Sequence, residues 1–304
     1  MLQYLATVLT LVAATTAHCE LHHLSEAVES YLDAQKTGQI AAFAARFDNA
    51  SWIGYYENAK KVPVETSILT KPLAISHTRS IHDLTICSTF TEVVVNSTTD
   101  LYVIGTQLRF ANHQINKVDS LITKPGDWLF NVTGTAYWTA KENWDPIPVE
   151  KQDSRDTIRK AADAYCDLFN NPNTTVPWGT PCVRLEGGLY GNPGPNGSCA
   201  VGVPTGTPLT NRRYVIDESM GSVDVLLDFG KSKWPDSHQF RIEGGKIRDL
   251  ELLQPGMTEG SEEYARSSTI ECLQSEWEHF KNGLYVPVPV QSSPLTVLRH
   301  YIWN

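Results

Sequence analysis

The sequence predicts an α+β fold built twice: two tandem units, each with helices packed on a strongly curved, mostly antiparallel sheet, then a C-terminal helix and an extended tail. The first observation behind this is an internal repeat. Tyr31-Leu32-Asp33 returns as Tyr165-Cys166-Asp167 and Tyr56-Glu57-Asn58 as Tyr190-Gly191-Asn192, each 134 residues on. Gln107-Leu108-Arg109-Phe110 returns as Gln239-Phe240-Arg241-Ile242 after 132, and Asp119 with Pro125-Gly126 returns as Asp249 with Pro255-Gly256 after 130. Four matches in one order, with a slowly drifting lag, mark two copies of one unit, each too long for a solenoid turn. The second observation is that hydrophobic spacing changes from helical to alternating within each copy. The third is length, since 304 residues suit two cores better than one.

In the first copy, Leu24, Val28, Tyr31 and Leu32 share a helical face that Gly38 ends, and Ile40, Phe43, Ala44 and Phe47 make a second short helix. From Ala74 to about Phe130 the pattern is β-rich, with strands over 92–95, 101–105 and 107–110. The linker is read as Asn143 to Asp153, rich in proline and charge. In the second copy, Ile158, Ala161, Ala162, Tyr165 and Phe169 form a helical stripe. A Gly/Pro-rich loop is expected from Pro177 to Pro208, then strands over 213–216, 223–227, 238–242 and 246–250. A capping box at Ser268 and Glu271 opens a last helix, and an apolar tail from Val286 to Asn304 straps the domains. The resulting division is 1–17 signal peptide, 18–145 first domain, 155–257 second domain and 258–304 helix and strap.

Tyr4 to Ala14 is apolar over the length of a signal h-region, and small residues follow to Ala17, although no Lys or Arg precedes it. The stretch is too short to span roughly 30 Å of hydrocarbon, so we expect the secretory pathway and no membrane span. Asn49, Asn96, Asn131, Asn173 and Asn196 open Asn-x-Ser/Thr triplets and should lie on surface loops. Six cysteines follow the signal, which fits an oxidising compartment; only Cys182–Cys199 is favoured locally, closing part of the Gly/Pro-rich loop. A net charge of −9 without a basic cluster weighs against nucleic acid.

No G-x-S-x-G, H-E-x-x-H, phosphate-binding or dinucleotide fingerprint occurs, so neither a metal nor a cofactor is expected. What remains is a set of pocket-type residues: Trp52, Tyr55, Tyr56, Lys60, Lys61, His77, Arg79, His82 and Asp83 in the first copy, and Arg184, Glu186, Tyr190, Arg212, Arg213 and Tyr214 in the second. Tyr, Arg and Lys donate hydrogen bonds to a developing oxyanion, and His or Asp moves a proton. Each also has a plain structural alternative, such as Arg212 pairing with an acid or Trp52 filling core.

Trp178-Gly-Thr-Pro-Cys182-Val-Arg184-Leu-Glu186-Gly187-Gly188, then Cys199-Ala-Val-Gly202-Val-Pro204, Thr210-Asn211-Arg212-Arg213-Tyr214 and Pro235-Asp236-Ser237-His238-x-Phe240-Arg241 resemble a domain family of unknown function from secreted fungal proteins. The resemblance spans roughly residues 155–255 and implies a cone-shaped α+β barrel like nuclear transport factor 2. The doubled architecture also resembles fungal hetero-Diels–Alderases of tropolone-sesquiterpenoid biosynthesis. That implies dehydration of a tropolone or phenol benzylic alcohol to an o-quinone methide and its cycloaddition to a humulene-type sesquiterpene, with small hydrophobic substrates as partners. The alternative is a secreted non-enzymatic protein that binds a small hydrophobic ligand. We expect the site in the first-half cavity, with Tyr56, His77, Arg79 and Lys61 catalytic and Trp52, Tyr55, His82, Tyr190 and Arg212 binding substrate.

Overall fold

The computed structural model describes residues 19–191, 194–200 and 203–256. The expected signal segment, the helix after Ser268, the apolar tail and Cys272 lie outside the described residues.

The chain runs α1 (Leu21–Thr37), α2 (Ala41–Ala44), β1 (Gly54–Glu57), β2 (Lys60–Val62), β3 (His77–Asp83), β4 (Ser88–Asn96), β5 (Leu101–Ala111), β6 (Gln114–Thr123) and α3 (Val132–Thr139). The second unit repeats it with α4 (Arg155–Leu168), β7 (Trp178–Glu186), β8 (Leu189–Gly191), β9 (Leu209–Asp217), β10 (Ser222–Phe229), β11 (Trp234–Glu243) and β12 (Lys246–Leu253). The two six-stranded sheets share one topology, β2-β1-β6-β5-β4-β3 and β8-β7-β12-β11-β10-β9. All pairs are antiparallel except β1 with β6 and β7 with β12. The doubled α+β architecture is therefore as the repeat requires.

Helical spacing buries Leu24, Ala27, Val28, Tyr31 and Ala34 of α1 on one sheet, and Ile158, Ala161, Ala162, Tyr165 and Cys166 of α4 on the other. Gly38 ends α1 in the left-handed region at φ 71°, where a β-carbon is strained. Ser154 caps α4 by accepting from Thr157 N. Each helix with the inner face of its sheet encloses an apolar core: Tyr55, Val93, Ile104, Leu108 and Val118 in the first, Val223, Val225, Phe240, Ile242 and Leu250 in the second.

The outer faces of the sheets pack together about an approximate two-fold axis. Asp83 Oδ2 accepts from Ile216 N and Asp217 Oδ2 from His82 N, both at 2.9 Å. Asp83 and Asp217 are 134 residues apart, as are Ile81 and Val215, which meet with Phe90 in a small core. Arg79 donates to Gln239 Oε1, while Gln107 donates to the Arg213 carbonyl. Reciprocal contacts of this kind are the logic of an isologous dimer interface, here within one chain.

Pairing registers correct part of the sequence reading. Tyr56 stands on the first strand of its hairpin opposite Lys61, whereas Tyr190 stands on the second strand opposite Leu185. The true counterpart of Glu57 is Glu186, each ending its strand before the turn. Likewise Gln107 pairs with Asp119 and Gln239 with Glu251, so Asp119 corresponds to Glu251 and not to Asp249. The expected loop 177–208 contains β7 and β8. Its Gly/Pro composition concealed a strand that tolerates Pro181 because pairing with β12 is interrupted there, between Trp178 and Val183. Helix α3 and the fusion of 101–105 with 107–110 into β5 were not anticipated.

Two disulfides, Cys19–Cys87 and Cys182–Cys199, fit an oxidising environment, and Cys166 is a buried free thiol. No helix among the described residues is long and apolar enough to cross a membrane.

Candidate functional site

The two units have the same walls and different interiors. Inside the first, the Tyr31 hydroxyl bonds Thr106 Oγ1 at 2.8 Å, Thr106 bonds Ser120 at 2.9 Å, and Ser120 donates to Tyr55 at 3.5 Å. This is a chain of hydroxyls that burial keeps protonated, with Tyr31 and Tyr55 raised well above the ordinary phenol range.

The second unit replaces hydroxyls by charge. Equivalent pairing positions carry Tyr165 for Tyr31, Arg184 for Tyr55, Asp236 for Ile104 and His238 for Thr106. His238 Nε2 lies 2.6 Å from Asp236 Oδ2, with both residues essentially closed to solvent at 0% and 2% exposure. In the Nε2–H tautomer the imidazole donates to this carboxyl group, and Nδ1 has no partner. Tyr165, Phe169 and Phe240 ring the imidazole at 5.5–6.3 Å between ring centroids. Burial pushes Asp236 above the carboxylate range against the opposing pull of His238. Arg184 Nη2 donates to Glu186 Oε2 at 2.7 Å. Burial disfavours that guanidinium, but Glu186 and Tyr165 together outweigh it and hold Arg184 above its ordinary value, while burial raises the Tyr165 hydroxyl. Trp128 of the first unit donates to Glu186 Oε1 at 3.2 Å. The hairpin turn Gly187-Gly188, with φ 57° and 97°, lies against Leu129 and Asn131, where side chains would collide.

The expected site residues are dispersed. Tyr55 lies inside the first unit, and His82 shares the inward register of Ser80 and Thr91. Tyr56 and Lys61 are on the outer face, where Lys117 covers the Tyr56 ring at 4.8 Å and Lys61 donates to the Ile53 carbonyl at 2.8 Å. Trp52 stacks on Phe47 at 4.1 Å. Arg212 is paired with Asp163 and Asp167. His77 and Arg79 face the interface between the units, and Tyr190 stacks on Trp138 of the first unit at 4.2 Å. They therefore do not line one cavity, because alternate residues of a strand point to opposite faces. Burial lowers His77 and His82 below the ordinary histidine range.

Asp236 and His238 were legible as motif residues but not as a pair. The available signal is parity: they share the strand face of Phe240 and Ile242, so two ionisable groups point where apolar ones do. Of the glycan acceptors, Asn49, Asn96, Asn173 and Asn196 are exposed. Asn131 is the exception, since it caps α3 by accepting from Gly134 N and its Nδ2 is buried. Among the described residues, Glu20, His22 and His23 bring metal-type donors within 4.8 Å of one another at the exposed start of α1, where the helix dipole opposes a cation.

Residues 151–253, about a third of the chain, match a family model described as Domain of unknown function (DUF8021). The match covers the second unit, including Arg184, Glu186, Asp236 and His238. No curated protein matches the chain.

Proposed function

We propose that the interior of the second unit is an acid–base site for a small, largely apolar molecule bearing an oxygen function. The observation that supports this most is the His238–Asp236 pair, enclosed by aromatic rings where the sister unit has Thr106 and Ile104. A fold that needs only packing at these positions is satisfied by a hydroxyl and an alkyl group, as the first unit demonstrates. In this reading Nδ1 of His238 takes or returns the proton, Asp236 holds the tautomer, and Arg184 stabilises negative charge growing on oxygen.

The reaction we assign is the one implied by resemblance to hetero-Diels–Alderases. A benzylic alcohol of a tropolone or phenol gains a proton, its C–O bond breaks with loss of water, and the ring hydroxyl gives up its proton to form the o-quinone methide. A humulene-type alkene then adds across it, forming one C–C and one C–O bond. Exclusion of water favours this, since water would quench the intermediate. We also read the chain as a secreted fungal glycoprotein. A second reading, a non-enzymatic carrier, draws on the same closure to solvent, which suits retention as well as turnover. Incubating the pure protein with a tropolone benzylic alcohol and humulene separates them. Cycloadduct formed faster than in buffer supports the enzyme. Saturable quenching of tryptophan fluorescence without product supports the carrier, and the absence of both product and quenching refutes both readings.

A further inference from the structure

The approximate two-fold symmetry of the interface is broken at one place. Arg79 and Arg213 are symmetry mates, but their cross-strand neighbours are Glu92 and Leu226. Around Arg79 three carboxylates gather from separate segments: Glu92 of β4, Glu142 after α3 and Glu251 of β12. Their side chains are 1%, 4% and 5% exposed. The guanidinium also stacks on Trp144 at 3.9 Å. Nη1 donates to Glu142 at 3.1 Å and Nη2 to Glu251, while Glu92 Oε2 lies 3.0 Å from Nη2 outside hydrogen-bonding direction. Neither oxygen of Glu92 has a donor, nor has Glu251 Oε1.

The groups facing this cluster do not neutralise it. Arg241 of β11 directs Nε to Glu243 and Nη2 to the Asp145 carbonyl. Asp249 of β12 adds a further acid, Gln239 contributes an amide, and His77 and Tyr190 complete the surroundings. Fully ionised, three buried carboxylates on one guanidinium leave two uncompensated charges, which a protein interior avoids by binding protons.

We propose that Arg79, Glu92, Glu142 and Glu251 form an acid-locked clasp between the two units, in which a proton held on Glu251 beside Glu92 supplies the missing donor and its loss at higher pH loosens the interface. The surroundings agree in direction. Burial, then Glu92, hold Glu251 well above the carboxylate range; burial raises Glu142, and burial with Glu142 pushes Asp249 up to about 7. Carboxylates raised in the folded state contribute stability that is fully present below their ordinary range near 4 and is lost as pH rises through their raised folded values, about 7 for Asp249.

The test is the melting temperature from pH 4.5 to 8 at fixed ionic strength, for wild type, Glu92→Gln, Glu251→Gln and the exposed control Glu29→Gln, which lies on α1 away from the clasp. Wild type and control should lose roughly 5–10 °C between pH 5 and 8. Each clasp variant should lose less than half of that and melt above wild type at pH 8. Asp224, also buried at the interface, and Asp249, Glu142 and Asp236 supply the slope that each variant keeps. Hydrogen exchange of β3 and β12 in the wild type, corrected for intrinsic rate, should show protection falling over the same range, so the proposal stays testable should a variant fold poorly. A flat wild-type profile with unchanged protection, or clasp variants with the wild-type slope, would overturn it.

Discussion

The decisive residues differ from their repeat mates by chemistry, not by place. His238 occupies the position of Thr106, and one imidazole changes a hydroxyl-lined core into an acid–base pair. Asp236→Asn keeps shape but presents an amide, so that His238 no longer has a carboxyl partner to fix its tautomer. We expect a loss of about 10²-fold or more in the proposed turnover, with little change in melting temperature. Equal turnover in a folded variant would move the chemistry elsewhere. Asp83 illustrates the opposite case, a buried carboxylate with structural duty. It receives both Nη atoms of Arg155 at 2.7–2.8 Å and the Ile216 N–H. Asp83→Ala leaves those donors unsatisfied and should cost about 3 kcal/mol in urea unfolding. Asn131 makes a third residue-scale test, because its Oδ1 caps α3 and its Nδ2 is buried away from solvent. Glycopeptide mapping should find Asn131 unmodified while exposed acceptors carry glycan.

At the scale of elements, the helices were readable because burial repeats every three to four residues and their ends are marked. Ser154→Ala should cost α4 about 1 kcal/mol, measured by chemical denaturation, by removing the acceptor for Thr157 N. The strand β7 was hidden by its glycine and proline, and only its parallel partner β12 explains why it forms. It is tied to the segment before β9 by Cys182–Cys199, a separation of 17 residues. Replacing both cysteines by serine should destabilise the second unit by roughly 3 kcal/mol, on the loop-closure account. The registers of the hairpins, which decide that Glu186 matches Glu57, depend on turn length and not on sequence identity.

For the whole molecule, the outer sheet faces meet through mates that exchange roles, so neither unit presents an independent surface. Asp83, Ile81, Arg79 and Gln107 of one unit all contact the other, and their partners reciprocate. We therefore expect calorimetry near pH 5 to show a single transition, with calorimetric and van't Hoff enthalpies equal. Two resolved peaks would indicate units that fold separately.

The sequence by itself determined that one α+β unit occurs twice, where its two long helices lie, that Cys182 and Cys199 are neighbours and which stretch matches a family model. These follow from local spacing and from similarity along the chain, which are one-dimensional quantities. Tertiary structure decided what meets what. Tyr56 and Tyr55 adjoin in sequence yet face opposite sides of a sheet, while Asp236, His238, Arg184 and Tyr165 come together from a helix and two strands. Arg79 looked like a donor for a ligand and proved to be the centre of three carboxylates from distant segments. Side-chain direction and strand register set those encounters, and both depend on pairing across the fold.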